Sequence, residues 1–526
     1  MVVMCVWDQI QFLVRSMEPG GEVATKRPKL SSDVSAGAGS EDRLSALPDD
    51  ILVLILRHLP TTAAARTSVL SHRWRRIWTL LPELRFPSAT DPHQIGHALQ
   101  VHEAALRCLF VLTRDAGPDS VTAWLPVAAR RLSGFLFFQN LERQRSAQER
   151  NEEEAAQRGA FEFPCLERAT NVSLHLGFLG LAVPPAGVFA RLTELCLSRV
   201  RFHAPGLLGD AVSSLRCPCL QKLTVRDARG LDNLAINSDS LRQVALSDLR
   251  GLRQLTIVAP ALEDFNITHS FFHNQSQPVA SISAPQLATL EWMDPYDPSS
   301  VHLGEMEHLQ LLRPFFFLVY GHEGWTHNQS CLSLLRRFKF IERLILTLTY
   351  LRNMDYCHYV MEDMTMLPDI TILHLNVLAN GHAFGASAFH VLRMCSGIRR
   401  LVLALFAPTE VEAQTTCPPG CICCEQQNWE TEPLLLNRLQ EVEIIRLRGS
   451  EHEVTFVKQL FIWATALEKM TVTFDDSVTE SVAKELSEVL RSFCRPEIHM
   501  EIHTYEDMIK MMYAPEDMHR LIAMLS

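Results

Sequence analysis

The sequence predicts an α/β repeat solenoid that follows an N-terminal domain of three short helices. Two observations predict this fold: a six-residue apolar pattern recurs through most of the chain, and about 45 residues before it have helical periodicity. The chain of 526 residues is long enough for several domains, because single cores rarely exceed roughly 250–300 residues. A hydrophobic share of 47% excludes a wholly disordered chain.

The composition narrows the possible partners. Sixty acidic residues against 49 basic ones give a net charge of −11, so the basic field that binds phosphate backbones is absent and no nucleic-acid partner is expected. No stretch resembles a membrane span of roughly 20 apolar residues, so no membrane partner is expected either. The opening MVVMCVWDQIQFLV makes a poor secretion signal, which predicts that the 14 cysteines are reduced in the cytoplasm, the nucleus or both.

Residues 18–42 are rich in Gly, Ser, Ala and Pro and almost lack large apolar side chains. Such a segment cannot bury enough surface to fold, so we expect a disordered tail over residues 1–42. Its basic cluster Lys26-Arg27-Pro28-Lys29 fits either nuclear import or a solvated charge run, and only three charges slightly favour the solvated run.

A small helical domain is predicted over residues 43–88. Its first helix has two apolar stripes, one formed by Leu47, Ile51 and Ile55 and the other by Leu52, Leu56 and Leu59. A unit of about 45 residues has too little interior to bury both stripes. One stripe can pack inside and the other requires a partner, so the pattern predicts a partner-docking domain.

The boundaries of these helices are predicted from prolines and cap residues. Pro48 suits the first turn, where a backbone N–H is spare, and Pro60 ends the first helix. Thr61 or Thr62 can cap a second short helix, and Ser71 can cap a third. We therefore expect three short helices in this domain.

A six-residue string, apolar-x-x-apolar-x-apolar, recurs thirteen times after the helical domain. Its last two apolar positions alternate, so they point to one face of a short strand. The copies are LSGFLF at 132, LTELCL at 192, LQKLTV at 220, LDNLAI at 231, LRQVAL at 241, LRQLTI at 252, LEDFNI at 262, LATLEW at 287, IERLIL at 341, ITILHL at 370, IRRLVL at 398, LQEVEI at 439 and LEKMTV at 467. They predict a solenoid of leucine-rich-repeat type over residues 95–430, with inserts at 140–160 and 407–433.

The spacing of the strings predicts two kinds of repeat unit. Several copies lie 25–29 residues apart, which leaves room for a strand and a helical or irregular return. From 220 to 262 the spacing falls to 10 or 11 residues, which is too short for a strand and a helix. In that region we expect strand–turn–strand coils of about 21 residues.

The sequence contains no complete catalytic signature. It lacks the phosphate-binding pattern G-x-x-x-x-G-K-[ST] and the nucleophile elbow G-x-S-x-G. His102-Glu103 lacks a second histidine four residues after the first, and His302, Glu305 and His308 are most simply explained as surface residues. The sequence therefore predicts no catalytic residue and no enzyme.

Four cysteines in CPPGCICC are the strongest candidates for metal ligation: Cys417, Cys421, Cys423 and Cys424. Four thiolates suit tetrahedral zinc, but the spacing lacks the separated C-x2-C pairs of a zinc ribbon, and adjacent cysteines rarely both ligate. A loop of packed or free thiols is favoured, so no metal and no cofactor are predicted. A catalytic cysteine would need a positioned histidine, which sequence cannot establish.

The segment RLSALPDDILVLILRHLP…AARTSVLSHRWRRIWTLLPELRF resembles the F-box in its plant form. The resemblance implies docking to a Skp-type adaptor, and through it to a cullin scaffold, within an SCF ubiquitin ligase. In that family the F-box protein performs no chemistry and selects a protein substrate, which the sequence does not identify. The implied adaptor-binding residues are Leu47, Pro48, Ile51, Leu52, Ile55, Leu56, Leu59, Pro60, Val69, Leu70, Arg73 and Trp74.

The C-terminal region, residues 434–526, resembles the FBD region that follows leucine-rich repeats in many plant F-box proteins. The resemblance rests on LQEVEIIRLRGSEHEVTFVKQLFIWATALEKMTVTF, and the preceding CPPGCICC…NW segment is similar to the same subfamily. The charged insert at 140–160 and the apolar segment before Met17 differ from the family pattern.

Three interpretations compete. The chain is a substrate receptor of an SCF ligase, a repeat scaffold without a ubiquitin role whose helical domain only caps the solenoid, or a thiol or metal enzyme built on the cysteine loop. The two-faced first helix together with Trp74 favours the receptor over the scaffold, because a cap needs one polar face. The missing catalytic signature disfavours the enzyme.

Overall fold

The computed structural model describes residues 47–87, 90–141, 159–203, 207–271, 279–322, 327–351, 357–406, 421–425 and 427–504. The tail expected over residues 1–42 lies outside these ranges, as do most of the two expected inserts. The chain divides into two units, residues 1–48 and 49–526, and the architecture below is that of the second. No helix among the described residues is both long and apolar enough to cross a membrane.

Most helices are short and lie between strands. In the described residues they are α1 Asp49–Leu56, α2 Thr61–Arg66, α3 Trp74–Ile77, α4 Pro92–Val101, α5 Pro118–Thr122, α6 Leu125–Arg131, α7 Leu207–Ala211, α8 His327–Arg336, α9 Gly385–Met394, α10 Ile422–Glu425, α11 Glu451–Trp463 and α12 Glu480–Phe493. Single 3₁₀ turns occur at Thr67–Val69, Trp78–Leu80, Met361–Asp363 and Gln427–Glu430.

The strands recur along nearly the whole described chain. They are β1 Glu83–Phe86, β2 Leu106–Arg114, β3 Leu132–Leu141, β4 Ala160–Glu162, β5 Asn171–His175, β6 Gly180–Ala182, β7 Glu194–Phe202, β8 Lys222–Arg229, β9 Asn233–Asn237, β10 Gln243–Arg250, β11 Gln254–Val258, β12 Asp264–Thr268, β13 Val279–Ser283, β14 Thr289–Met293, β15 Val301–Leu303, β16 Leu311–Arg313, β17 Phe317–Leu318, β18 Tyr320–Gly321, β19 Phe340–Thr349, β20 His358–Tyr359, β21 Asp369–Leu378, β22 Arg400–Phe406, β23 Glu441–Leu447, β24 Lys469–Phe474 and β25 His499–His503.

One long parallel sheet connects the repeats. Each repeat adds a strand beside the previous one, in the order β1, β2, β3, β5, β7, β8, β10, β12, β14, β16, β19, β21, β22, β23, β24 and β25. The short strands β4, β6 and β17 pair beside this series, and β18 and β20 form a small antiparallel ribbon. This parallel α/β architecture agrees with the predicted repeat solenoid.

All thirteen strings lie on strands, so the predicted strand positions are confirmed. The last two apolar residues of twelve strings are buried in the core, as Leu223 and Val225 show with 0% exposure each. In LSGFLF, Phe135 is half-buried, and the fully buried residues are Leu136 and Phe138. Residues in register with Leu223 on the neighbouring strands, such as Val244 and Phe265, are equally buried. The repeated apolar positions therefore stack into one continuous core along the sheet.

The coils of about 21 residues are also confirmed. Lys222 is in register with Gln243, and Gln243 with Asp264, so each coil advances by 21 residues (243 − 222 and 264 − 243). The intervening strands β9, β11, β13 and β15 form a second parallel sheet. The backbone adopts positive φ at the equivalent positions Asp227, Asp248 and His269, which turns the chain at the same place in each coil.

The structure adds two details at the predicted domain boundaries. Strand β1, Glu83–Phe86, pairs with β2, so the end of the predicted helical domain already belongs to the sheet. Asn140 lies within β3 and Ala160 begins β4, so the first insert is shorter than predicted at both edges. Asn140 is buried. The cost of burying its amide is offset because the amide oxygen accepts hydrogen bonds from the Thr113 hydroxyl and the Ala116 N–H, both at 2.9 Å.

The C-terminal region continues the same sheet through β23, β24 and β25. Its helix α11 begins with a capping box, in which Ser450 and Glu453 satisfy the first backbone groups. The Glu453 carboxylate accepts hydrogen bonds from the N–H groups of Arg448, Gly449 and Ser450, at 3.0, 2.8 and 3.2 Å. These bonds fix the turn between β23 and α11.

Candidate docking surface

The first helix of the described chain is apolar on two faces. Asp49 and Asp50 occupy its first turn, where carboxylates favour the positive end of the helix dipole. Leu52 and Leu56, four residues apart, are buried at 0% and 1% exposure. The opposite face exposes Ile51, Leu54 and Ile55.

The second and third helices begin differently from the prediction. Pro60 precedes α2 without a side-chain cap. Thr61 is buried, and its hydroxyl accepts a hydrogen bond from the Arg85 N–H at 2.6 Å. Arg73 precedes α3, again without a side-chain cap, and Ser71 is exposed. The predicted threonine and serine caps are therefore wrong, because tertiary contacts recruit Thr61 and α3 begins three residues after Ser71.

The helical domain is fixed by packing and by ion pairs. Trp74 and Ile77 of α3 are buried at 6% and 1% exposure. The Arg73 guanidinium lies 2.5 Å from Asp49 Oδ1 and connects α3 to the start of α1. Both ionic side chains are more than a third exposed, so solvent screening leaves this pair a small contribution to stability.

The structure divides the twelve predicted adaptor-binding residues into three groups. Leu52, Leu56 and Trp74 are buried in the core of this chain, so their placement on a docking face is wrong. Leu47 and Arg73 are half-buried. The exposed members are Pro48, Ile51, Ile55, Leu59, Pro60, Val69 and Leu70.

Leu54 was missed by the sequence analysis although it is 50% exposed. The stripe predicted from Leu47, Ile51 and Ile55 has a spacing of four residues, whereas Leu54 lies three residues after Ile51. A spacing of three also places a side chain on the same helix face, so this signal was present in the sequence. The exposed apolar surface of α1 therefore consists of Ile51, Leu54 and Ile55.

A second exposed apolar group follows α2. Val69 is 87% exposed and Leu70 is 61% exposed, and both lie at the end of the 3₁₀ turn after α2. Together with Leu59, which is 39% exposed, they extend the apolar surface of the domain. We call the set Ile51, Leu54, Ile55, Leu59, Val69 and Leu70 the apolar docking surface.

The repeat sheet presents a polar face between its buried positions. Lys222 and Glu194 form an ion pair at 3.1 Å across adjacent strands. Asn266 donates to Glu291 at 2.8 Å, and Arg313 pairs with the same carboxylate at 3.2 Å. The same face carries pairs such as Arg400–Glu443 and Lys469–Glu501, both at 2.9 Å. It is a candidate surface for recognising a charged protein segment.

The isolated histidines weighed as metal ligands are not brought together. His102 is buried, its Nε2 lies 2.6 Å from the Leu81 carbonyl oxygen, and burial lowers its pKa. His302, Glu305 and His308 are all exposed, in agreement with a surface location. None of these four belongs to a group of possible metal ligands within the described residues.

The cysteine loop is only partly described. Cys417 lies outside the described residues, as does the side chain of Cys424. Cys421 and Cys423 are buried, and their Sγ atoms lie 3.5 and 3.7 Å from Nδ1 of His382. The sequence analysis missed His382, because it precedes Cys421 by 39 residues and belongs to no recognisable motif.

Several other cysteines are unsuited to nucleophilic chemistry. Burial raises the pKa of Cys217, Cys331 and Cys395 to about 12. Their thiols are therefore protonated at neutral pH, whereas a nucleophile must be a thiolate. These three are core residues.

Comparison with known proteins finds family models that match two segments of the chain. The F-box domain model matches residues 44–86, and the model "FBD-associated F-box protein At5g56370, LRR repeats" matches residues 121–306. The Arabidopsis thaliana putative F-box/FBD/LRR-repeat protein At4g03220 is 29% identical over 300 residues, which cover 55% of this chain and 58% of that protein.

Other Arabidopsis thaliana proteins give similar matches. The putative F-box/LRR-repeat protein At4g15060 is 31% identical over 271 residues, 46% of this chain and 58% of that protein. The F-box/FBD/LRR-repeat protein At2g04230 is 30% identical over 260 residues, 43% of this chain and 53% of that protein. The chain thus spans little more than half the length of these curated relatives. In these two regions the chain is similar to F-box and leucine-rich-repeat proteins of the FBD-associated type.

Proposed function

We propose that this chain is the substrate-recognition subunit of an SCF-type (Skp–cullin–F-box) E3 ubiquitin ligase. The F-box docks a Skp-type adaptor, which connects the chain to a cullin scaffold, and the repeats bind a protein substrate. The chain itself performs no chemistry in this role. We propose the cytoplasm or the nucleus as its location.

The observation that carries the proposal is the apolar docking surface. Its six residues are all between 38% and 87% exposed. They lie within a stretch of 20 residues, 51–70, inside the segment that matches the F-box model. A contiguous chain segment with so much exposed apolar surface is typical of a protein–protein interaction site. Burial of such side chains against a partner stabilises the complex by about 25 cal/mol per Å² of apolar area.

The polar face of the repeat sheet supports the substrate-binding half of the proposal. Parallel neighbouring strands place charged side chains in rows, with Glu194 beside Lys222 and Arg400 beside Glu441. Partly exposed charges of this kind orient a partner and accelerate encounter more than they add affinity. The proposed division is an apolar surface for the adaptor and a charged one for the substrate.

The competing function is a repeat scaffold without a ubiquitin role. A scaffold would also bind its partner through the polar face of the repeat sheet, so a substrate-binding experiment does not distinguish it from the receptor. They differ at the helical domain: a scaffold needs no partner there, whereas the receptor must bind the adaptor. The buried stripe of α1 and its exposed stripe at Ile51 and Ile55 favour the receptor.

Adaptor binding by the full chain tests the proposal. We expect the full-length protein to co-purify with a co-expressed Skp-type adaptor and Ile51→Ala with Ile55→Ala to weaken binding strongly. Interface anchors typically contribute about 2 kcal/mol or more each, so two should weaken binding by roughly 500-fold or more. The measurement is the adaptor dissociation constant by titration calorimetry.

The matched control changes two exposed apolar side chains on another helix. Val482 and Val489 of α12 are 43% and 41% exposed, against 38% and 42% for Ile51 and Ile55. Val482→Ala with Val489→Ala should leave adaptor binding unchanged. Failure of the folded wild-type chain to bind any adaptor would favour the scaffold, and equal weakening by both pairs would contradict the docking surface.

A further inference from the structure

Three buried side chains from distant parts of the chain converge on one point. His382 Nδ1 lies 3.5 Å from Cys421 Sγ and 3.7 Å from Cys423 Sγ, and the two sulfur atoms are 3.4 Å apart. The exposures of the three residues are 4%, 9% and 4%. Within the described parts of the chain, this is the only group of three or more His, Cys, Asp or Glu side chains with metal-ligating atoms so close together.

The triangle has the dimensions of one face of a tetrahedral metal site. With Zn–S near 2.3 Å and Zn–N near 2.0–2.1 Å, a tetrahedral ion separates two sulfur ligands by about 3.8 Å and a sulfur from a nitrogen by about 3.6 Å. The three observed separations differ from these values by at most a few tenths of an ångström. An ion about 1 Å out of the plane of the three atoms would reach all of them at ligand distance.

The fold holds the imidazole in a defined orientation. His382 follows Asn380 and Gly381, which both have positive φ, and its N–H donates to the Ala379 carbonyl oxygen at 2.9 Å. Its ring stacks on Tyr350, with centroids 6.1 Å apart and planes at 17°. The Tyr350 hydroxyl is itself held 2.7 Å from Ser387 Oγ on α9. The turn between β21 and α9 therefore fixes His382 through contacts that do not involve the cysteines.

A tryptophan positions the cysteine loop. Trp429 follows Cys423 by six residues and is 8% exposed. Its ring packs edge-on against Trp463, with centroids 6.0 Å apart, and lies where a Cβ on Gly385 would stand. Gly385 lies three residues after His382. The packing of Trp429 on Gly385 therefore holds the cysteine loop close to His382.

Ordinary thiol packing does not explain this arrangement. Cys331 and Cys395 are similarly buried, and burial raises the pKa of each to about 12. Among the described residues neither thiol faces an imidazole nitrogen as Cys421 and Cys423 do. Cys421 and Cys423 instead share one imidazole nitrogen and form no disulfide. Two sulfurs and one imidazole nitrogen are the donor set that zinc prefers among common divalent cations.

We propose that His382, Cys421 and Cys423 bind a zinc ion that attaches the cysteine loop to the repeat sheet. The ion would close a chain segment of 39 to 41 residues between β21 and the C-terminal repeats. Both thiols bind as thiolates, and their protons are released to solvent. The site goes beyond adaptor docking, and it reverses the interpretation of the loop as thiols without metal.

Metal content of the full-length protein tests the site. We expect wild-type protein, purified under reducing conditions and incubated with zinc, to retain about one equivalent after gel filtration. Replacement of the zinc by Co²⁺ should give thiolate-to-cobalt charge transfer in the near ultraviolet and tetrahedral d–d bands in the visible. The Cys421→Ser/Cys423→Ser and His382→Ala variants should each lose the equivalent and the cobalt bands.

The matched control is Cys395→Ser, which removes a buried free thiol of the same region that belongs to no group of possible metal ligands in the described part of the chain. It should retain the metal. Circular dichroism of every variant reports folding, and the wild-type cobalt spectrum tests the site even where a variant does not fold. Three results would overturn the proposal: wild-type protein without zinc, zinc retained by the cluster variants, or a mass 2 Da below the reduced value from a Cys421–Cys423 disulfide.

Discussion

Glu83 Oε1 accepts a hydrogen bond from Arg57 Nη2 at 3.0 Å and joins the turn after α1 to the first strand of the sheet. Arg85 donates to the other oxygen of the same carboxylate at 3.0 Å. The Glu83 side chain is only 16% exposed, and those of Arg57 and Arg85 are 27% and 34% exposed. One shielded carboxylate thus connects the helical domain to the first strand of the repeat sheet.

We expect Glu83→Ala to lower the free energy of unfolding by about 1–3 kcal/mol, because two partly buried guanidinium groups lose their acceptor. Urea unfolding followed by fluorescence measures the change. The control is Glu103→Ala, which breaks the exposed Arg76–Glu103 pair at 2.8 Å, with 71% and 45% exposure. Exposed pairs contribute about 0–1 kcal/mol, so equal effects of the two variants would contradict the role given to Glu83.

Leu54 and Leu56 should separate docking from folding, since they lie two positions apart on α1 at 50% and 1% exposure. Leu56→Ala should destabilise the chain by about 2–5 kcal/mol, because it leaves a cavity in the core. Leu54→Ala should change stability by at most about 0.5 kcal/mol and weaken adaptor binding about tenfold or more. Unfolding midpoints and adaptor titrations measure both, and the reverse pattern would show that the buried stripe is the docking face.

Stability should fall in acid because of His175. Burial, and to a smaller extent the charge of Arg226, lowers its pKa to about 4, whereas the unfolded chain keeps the ordinary value near 6.5. Between pH 6.5 and 4 the unfolded state therefore binds more protons than the folded state. The stability contribution is complete above pH 6.5 and decreases as the pH falls toward 4.

We expect His175 alone to lower the free energy of unfolding by about 2 kcal/mol between pH 7.5 and pH 5.0. His175→Gln removes the titrating group and should reduce the loss by that amount. The pKa of His374 is also lowered to about 4, so His374 adds the same acid-induced loss of stability to the wild type and to the variant. Urea unfolding at the two pH values is the measurement, and an identical acid loss in wild type and variant would refute the assignment.

Gly385→Ala should destabilise the protein although alanine is the better helix former. The helix preference of alanine is worth up to about 1 kcal/mol, but the added Cβ would occupy the position of the Trp429 ring. Overpacking of this kind typically costs about 1–3 kcal/mol, so the net change should be unfavourable. Gly397→Ala is the control, because its Cβ would meet only the Ile370 carbonyl oxygen at 3.7 Å. Calorimetric melting temperatures measure both.

Local patterns were enough to predict the repeat strands and the double apolar stripe of α1. Strand alternation and helix periodicity are properties of a few consecutive residues, so LQKLTV predicted β8 and Leu223 in the core without knowledge of the fold. Strand β1 was missed because ELRF does not contain the repeated string. Strand β2 was missed although its LRCLFV has the pattern at Leu106, Leu109 and Val111. Their pairing with each other and with β3 determines that they are strands.

The sequence alone determined that α1 has one apolar face too many for a domain of its size. Only the tertiary structure decided which face is buried, because α3, which carries the buried Trp74 and Ile77, packs against α1 from more than 15 residues away. The same holds for His382, which the sequence analysis did not single out. It meets Cys421 and Cys423 because parallel strands bring segments about 40 residues apart to the same end of the sheet, and a linear pattern does not encode that proximity.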